Sequence, residues 1–154
     1  MRILITGVPG TGKTTIAKEL SNELKIPLYD IKKFTKAKDV DIASLKRKTE
    51  KELKGKKDWI LEGHIFCEYK TNANFVFLFD TSETKLREIY KKRKYLPVKI
   101  EENIFCKNIN YFEKKLGKFY KKIYTLETEK DIKKNICKIK KILQKELVVN
   151  KNSQ

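Results

Sequence analysis

Nine consecutive residues, Gly7-Val8-Pro9-Gly10-Thr11-Gly12-Lys13-Thr14-Thr15, carry the clearest chemistry in the chain. Gly7, Gly12, Lys13 and Thr14 fit the spacing G-x-x-x-x-G-K-[ST], in which glycines let backbone N–H groups turn inward around phosphate oxygens. Lys13 reaches the β- and γ-phosphates of a nucleoside triphosphate as a mobile cation, and the Thr14 hydroxyl ligates Mg²⁺. Pro9, Gly10, Thr11 and Thr15 complete the cradle, and the N-terminus of the following helix adds positive potential. The phosphates of a nucleoside triphosphate, with Mg²⁺, are the ligand this segment predicts.

A second constellation closes the apolar run that starts at Trp59: Glu62, Gly63 and His64, the only histidine. A buried, unpaired carboxylate costs several kcal/mol or takes up a proton, so Glu62 needs a partner. Around such a loop the third strand lies beside the first, which brings Glu62 to Thr14 and makes Mg²⁺ and its waters the expected partners. Glutamate reaches one methylene further than aspartate, so the expected contact runs through water. His64 then faces the same pocket and can orient an attacking water or acceptor; the alternative is a structural histidine bonded to a loop carbonyl.

Further cations are candidates for phosphate handling. The chain has 37 Lys and Arg, but only Arg2, Arg47, Arg87 and Arg93 are arginines. Planar, bidentate phosphate clamping is an arginine speciality. Arg93 falls at a helix–loop junction, from which a guanidinium can swing over transferring phosphates; the alternative, there and at Arg87, is a solvated basic helix. Lys36, Lys38, Lys46 and Arg47 lie where an acceptor phosphate could be held, and Arg87 is a further candidate. Thr128, with Glu127, occupies the loop after the fifth strand, where a nucleotide base is expected.

Hydrophobic periodicity supplies the elements that must position these groups. Strands are predicted at 2–6, 26–30, 59–63, 74–80 and 122–126, and helices at 13–24, 82–93, 100–121 and 129–147. Residues 31–55 are lysine-rich with sparse Ile42, Leu45 and Leu53, which predicts short surface helices. The alternation predicts an α/β fold, a doubly wound five-stranded parallel sheet with helices on both faces; the phosphate-binding loop, whose sheet sets the third strand beside the first, implies the order 2-3-1-4-5. One domain is expected over 1–147, with an acceptor-binding insertion at 31–55, a short lid at 93–99 and a frayed tail at 148–154.

Composition bounds the rest. Hydrophobic residues make up 40% of the 154, enough for a core despite the charge. Cys67, Cys106 and Cys137 are odd in number and form no CxxC pair, which predicts reduced, buried thiols in a cytoplasmic protein. No apolar stretch reaches the roughly 20 residues of a membrane span, and the N-terminus enters a strand without a signal-peptide pattern. The formal net charge of +17 favours polyanionic partners, nucleotides or RNA. Genomic or thermal bias toward lysine is the competing source of that charge.

The segments ILITGVPGTGKTTIAKEL, LEGH and LREIYKKRKYLPVKIEEN together resemble the compact adenylate kinases of archaea and eukaryotic nuclei, the isoenzyme 6 type. The similarity covers nearly all of residues 1–147, and Arg93, Tyr95, Lys99, Ile100, Glu102 and Asn103 fit the most discriminating pattern. The resemblance implies Mg²⁺-dependent phosphoryl transfer from ATP to AMP. It also implies side ATPase activity and a role in small-subunit ribosome maturation through a ribosomal protein of the uS11 type and rRNA. By the same resemblance Glu62 is the metal-side carboxylate and His64 is tied to ATP hydrolysis. Three positions depart from the family: Lys94 replaces a usual glycine, Ile89 a frequent arginine, and Lys33 a common acid.

Two other functions compete: a ribosome-assembly ATPase that remodels an RNA–protein partner, and a small-metabolite kinase for shikimate or gluconate. The chain offers no Arg-rich pocket for a carboxylate substrate, and it lacks the N/T-K-x-D base-recognition sequence of a GTPase.

Overall fold

The structure is a computed structural model that describes residues 1–153. Five parallel strands form one sheet: β1 (Arg2–Gly7), β2 (Leu28–Asp30), β3 (Trp59–Glu62), β4 (Phe75–Asp80) and β5 (Tyr124–Glu127). Their order is β2-β3-β1-β4-β5, as expected around a phosphate-binding loop. The helices are α1 (Lys13–Leu24), α2 (Ile42–Leu53), α3 (Glu83–Lys92), α4 (Pro97–Asn108), α5 (Tyr111–Gly117) and α6 (Ile132–Asn152).

Side-chain alternation along the central strands divides the core into two layers. Leu4, Trp59, Leu61, Val76 and Leu78 point to one face, where Leu45 and Leu53 of α2, Leu86 and Tyr90 of α3, Ile104 of α4 and Leu116 of α5 cover them. Ile3, Ile5, Ile60 and Phe77 point to the other, against Ile16 and Leu20 of α1 and Ile136 and Ile139 of α6. Strands buried on both faces read as continuous apolar runs, which is why β4 is the sequence FVFLF followed by Asp80.

Two differences from the sequence reading have local causes. The single helix expected over 100–121 is two helices, broken at Asn110, whose φ of 53° is a left-handed conformation that asparagine tolerates. The first of them starts three residues early, with Pro97 in its first turn, where a missing N–H costs nothing. The last helix, capped by the Asp131 carboxylate accepting from the Lys133 N–H at 2.9 Å, continues to Asn152. Two of the three thiols also differ from expectation: Cys67 is buried as predicted, but Cys106 is half-buried and Cys137 exposed. Among the described residues no helix is long and apolar enough to cross a membrane.

Candidate active site

The loop from Gly7 to Gly12 joins the central strand β1 to α1, so the N-terminus of α1 points out of the carboxyl edge of the sheet. Gly7, Gly10 and Gly12 all adopt positive φ, at 137°, 91° and 78°. Gly7 is confined twice, because a Cβ there would stand 2.2 Å from the Phe79 carbonyl oxygen of β4. At Gly10 the intruder would be the Tyr90 ring, 2.9 Å away. Gly12 caps α1 with no side chain, leaving the first N–H groups of the helix for an anion.

Lys13 is buried, and its ammonium donates to the Val8 carbonyl at 2.8 Å and to the Thr11 hydroxyl at 3.4 Å. Thr11 in turn donates to Val8 O at 2.9 Å. Burial pulls the Lys13 pKa down from 10.5 to about 8; Glu62 opposes this and Arg93 adds to it. The loop is braced from the β5 side: the Thr128 hydroxyl donates to Thr11 O at 3.0 Å, and the Thr128 N–H to Asp80 O at 2.8 Å.

Glu62 lies where the strand order puts it. Ile5 of β1 and Asp30 of β2 are its neighbours in register, and alternation after Leu61 turns it toward α1. The Thr14 hydroxyl donates to Glu62 Oε2 at 3.2 Å. Loss of hydration raises the Glu62 pKa; Lys13 and the Thr14 hydrogen bond counter the shift, and Asp30 reinforces it. A hydroxyl and a carboxylate side by side are the hard oxygen donors that Mg²⁺ takes. Among the described residues no three His, Cys, Asp or Glu cluster as a metal cage.

Beyond Gly63 the chain enters a 3₁₀ turn, His64–Cys67. The His64 side chain reaches solvent at the surface of the cleft, yet the protein around it removes much of its hydration. That loss, with Lys13 and Lys99 adding to it, lowers the His64 pKa from its ordinary value and keeps the ring neutral near pH 7. Its main-chain carbonyl accepts from the Thr6 hydroxyl at 3.4 Å.

These groups share one cleft of about 770 Å³, whose lining includes Pro9, Gly10, Lys13, Thr14, Glu62, His64 and Arg93. Arg93 closes α3, which ends in a Schellman turn: Lys94 N–H donates to Lys91 O and Tyr95 N–H to Tyr90 O, both at 3.0 Å. Such a turn needs a left-handed residue at its end, and Lys94 supplies it at φ 54°, where glycine is the usual choice. The Tyr90 hydroxyl donates to Pro9 O, and its ring stacks on Tyr95 at 5.3 Å, so the end of α3 is fastened to the Gly7–Thr15 loop.

The expected acceptor cations are elsewhere. Arg87 donates from Nε to Glu83 at 2.8 Å and from both terminal nitrogens to Glu101 at 2.6 and 3.2 Å. Neither it nor Lys36 and Arg47 lines the cleft. The inward face of α2 carries Leu45, Thr49 and Leu53, and Thr49 bonds the Tyr69 hydroxyl at 2.8 Å. Arg47 therefore faces solvent. Thr128 and Gly7 also stand outside the cleft, as supports of its loop.

The far wall consists of residues given no role from sequence: Glu68, Lys99, Asn103, Cys106 and Tyr111. Glu68 pairs with Lys115 at 2.9 Å and accepts from the Tyr111 hydroxyl. Lys99 and Asn103, four apart within KIEEN, had a readable signal in their helical spacing; Glu68 and Tyr111 are too far apart in sequence to have one.

The family model described as "AAA domain" matches residues 3–110. A protein of Methanocaldococcus jannaschii named "Putative adenylate kinase" is 37% identical over 117 residues, covering 68% of this chain and 65% of that protein. One of the same name from Pyrococcus furiosus is 32% identical over 114 residues, covering 68% and 62%. The chain thus aligns with less than two thirds of either relative's length. Among solved structures, deoxyadenosine kinase from M. mycoides with bound dATP superposes with a TM-score of 0.65 at 16% identity, covering 100% of both chains. At that identity the likeness concerns the fold alone.

Proposed function

The chain belongs to the AAA-domain family of phosphate-binding-loop proteins, and on that premise we propose that it is a Mg²⁺-dependent adenylate kinase, transferring the γ-phosphoryl group of ATP to AMP to give two ADP. The observation that carries this reading is the convergence of Lys13, Thr14, Glu62 and Arg93 on a single cleft that Lys99, Asn103 and Tyr111 also line. Phosphoryl transfer needs little covalent chemistry from a protein, so positioning and charge neutralisation suffice.

In this reading the Gly7–Thr15 loop and the open N-terminus of α1 hold the ATP phosphates. Lys13 exchanges the Val8 carbonyl for phosphate oxygens. Thr14 and Glu62 would hold Mg²⁺, which when bound neutralises charge on the β- and γ-phosphates. Arg93, at the end of a rigid helix, reaches the equatorial oxygens of the group in flight. An AMP phosphate oxygen attacks the γ-phosphorus, and the bond to the bridging oxygen of ADP breaks. The test is initial-rate ADP formation with Mg²⁺ and ATP, with and without AMP, dAMP, CMP, UMP or GMP. AMP should accelerate it; a rate identical to ATP alone with every acceptor would sink the kinase reading.

One feature favours a second use of the same site. Neutral His64, at the cleft surface, is suited to accept a proton from water, which would make ATP hydrolysis a side activity. With the +17 charge, which favours polyanions, this supports ATP-driven work on rRNA, and the resemblance adds a uS11-type ribosomal protein as partner. His64→Ala should impair hydrolysis more than AMP phosphorylation; equal losses would refute that division. The small-metabolite kinase reading has less support, since Arg93 is the only arginine among the described lining residues.

A further inference from the structure

We propose that the phosphate of the acceptor is held on α4, by Lys99 and Asn103, and not on α2; the assignment rests on reading the cleft as that of a nucleoside monophosphate kinase. Among the described residues three cations line the cleft: Lys13, Arg93 and Lys99. The first two serve the triphosphate, which leaves Lys99 for a second anion. Its ammonium stands 4.2 Å from the centroid of the Tyr95 ring, and that ring also stacks on Tyr90. The amine is thus held at the cleft by a platform fastened to the phosphate loop.

Asn103 follows one turn later on the same face of the helix. Its Nδ2 is buried yet has no hydrogen-bond partner, although the residue lines the cleft. Buried donors without acceptors are rare and call for an explanation. An oxyanion beside Lys99 supplies the missing acceptor, and the soft terminal torsion of asparagine lets the amide turn toward it. The neighbouring carboxylate does not oppose an anion, because Glu68 is already paired with Lys115 and Tyr111. On α2, by contrast, Ile42 is the one described residue that reaches the cleft.

Steady-state kinetics and calorimetry on the full chain test this. Loss of a charge-assisted contact is worth about tenfold or more in binding. Lys99→Met should therefore raise KM for AMP about tenfold, with a much smaller change in kcat. Asn103→Leu should raise it about threefold, and Asn103→Asp further, since a carboxylate would then face the phosphate. With a non-hydrolysable ATP analogue bound, the preference for AMP over adenosine should fall about tenfold in Lys99→Met. The assignment is overturned if Lys99→Met leaves KM for AMP within twofold of wild type, or if Arg47→Ala produces the rise instead. A wild-type chain that makes no ADP in response to AMP overturns the kinase reading, and this site with it.

Discussion

Around the Gly7–Thr15 loop the backbone makes the site, whereas across the cleft, on α2, α4 and α5, side chains make it. On the donor side the glycine constraints concern main-chain geometry: a β4 carbonyl at Gly7, an aromatic ring at Gly10, an uncapped helix start at Gly12. Such constraints admit few residue types, and so they write a motif into the sequence. On the acceptor side the question is only which way a cation faces. In a chain with 37 lysines and arginines, candidates are abundant and orientation decides.

Ranked by size, five measurements probe that contrast. Arg93→Ala should lower kcat for phosphoryl transfer about 10³-fold, since a cation on the transferring group is worth roughly that or more. A loss below tenfold would show that the donor side suffices without the lid. Gly7→Ala should destabilise the fold by about 3 kcal/mol, combining left-handed strain with overpacking against Phe79. Thermal melting checks it, and a melting point unchanged from wild type would remove the claim that backbone approach dictates the loop.

Third comes proton linkage. With Lys13 near 8 in the folded chain and 10.5 as its ordinary value, folding favours its neutral form. Stability should therefore rise with pH from about 8 toward 10.5, the unfolded chain binding the extra proton there. Phosphates restore the charge, so calorimetry in buffers of differing ionisation enthalpy should find proton uptake on ATP binding near pH 9 and little near pH 7. Equal uptake at both values would contradict the burial of Lys13. Fourth, Lys94→Gly should stabilise the chain by about 0.5–1 kcal/mol, because the left-handed penalty slightly exceeds the added flexibility of glycine. Denaturant titration would read a destabilisation as proof that the lysine side chain contributes more than its backbone costs. Smallest of all, Arg87→Ala should leave KM for AMP unchanged, since its guanidinium is spent on Glu83 and Glu101; a clear rise would return it to the acceptor site.

The parallel sheet was legible from apolar runs alternating with helices, and its order from the phosphate-binding loop, whose sheet sets the third strand beside the first. Glu62 was legible for the same reason: a carboxylate ending a central strand has few possible neighbours, and Thr14 is 3.2 Å away. Arg47 misled because a lysine-rich helix hides its inward face. Only Leu45, Thr49 and Leu53, spaced four apart, mark that face, and Arg47 lies two residues from Leu45 and two from Thr49, on the opposite side. The break at Asn110 escaped because apolar residues flank it on both sides, and asparagine alone seldom ends a helix. The pairing of Glu68 with Lys115 joins distant segments and had no local signature.

The hydrogen bond from Tyr90 to Pro9 has a thermodynamic consequence. Mobile lids are ordered when substrate arrives, and each backbone residue so fixed costs about 1–2 kcal/mol of the binding free energy. Here the last turn of α3 is set in place when the chain folds. At the end of α3, substrate then has the rotamers of the Arg93 guanidinium left to order, a cost of about 2 kcal/mol or less. Affinity lost elsewhere to a moving arm is retained by the nucleotide.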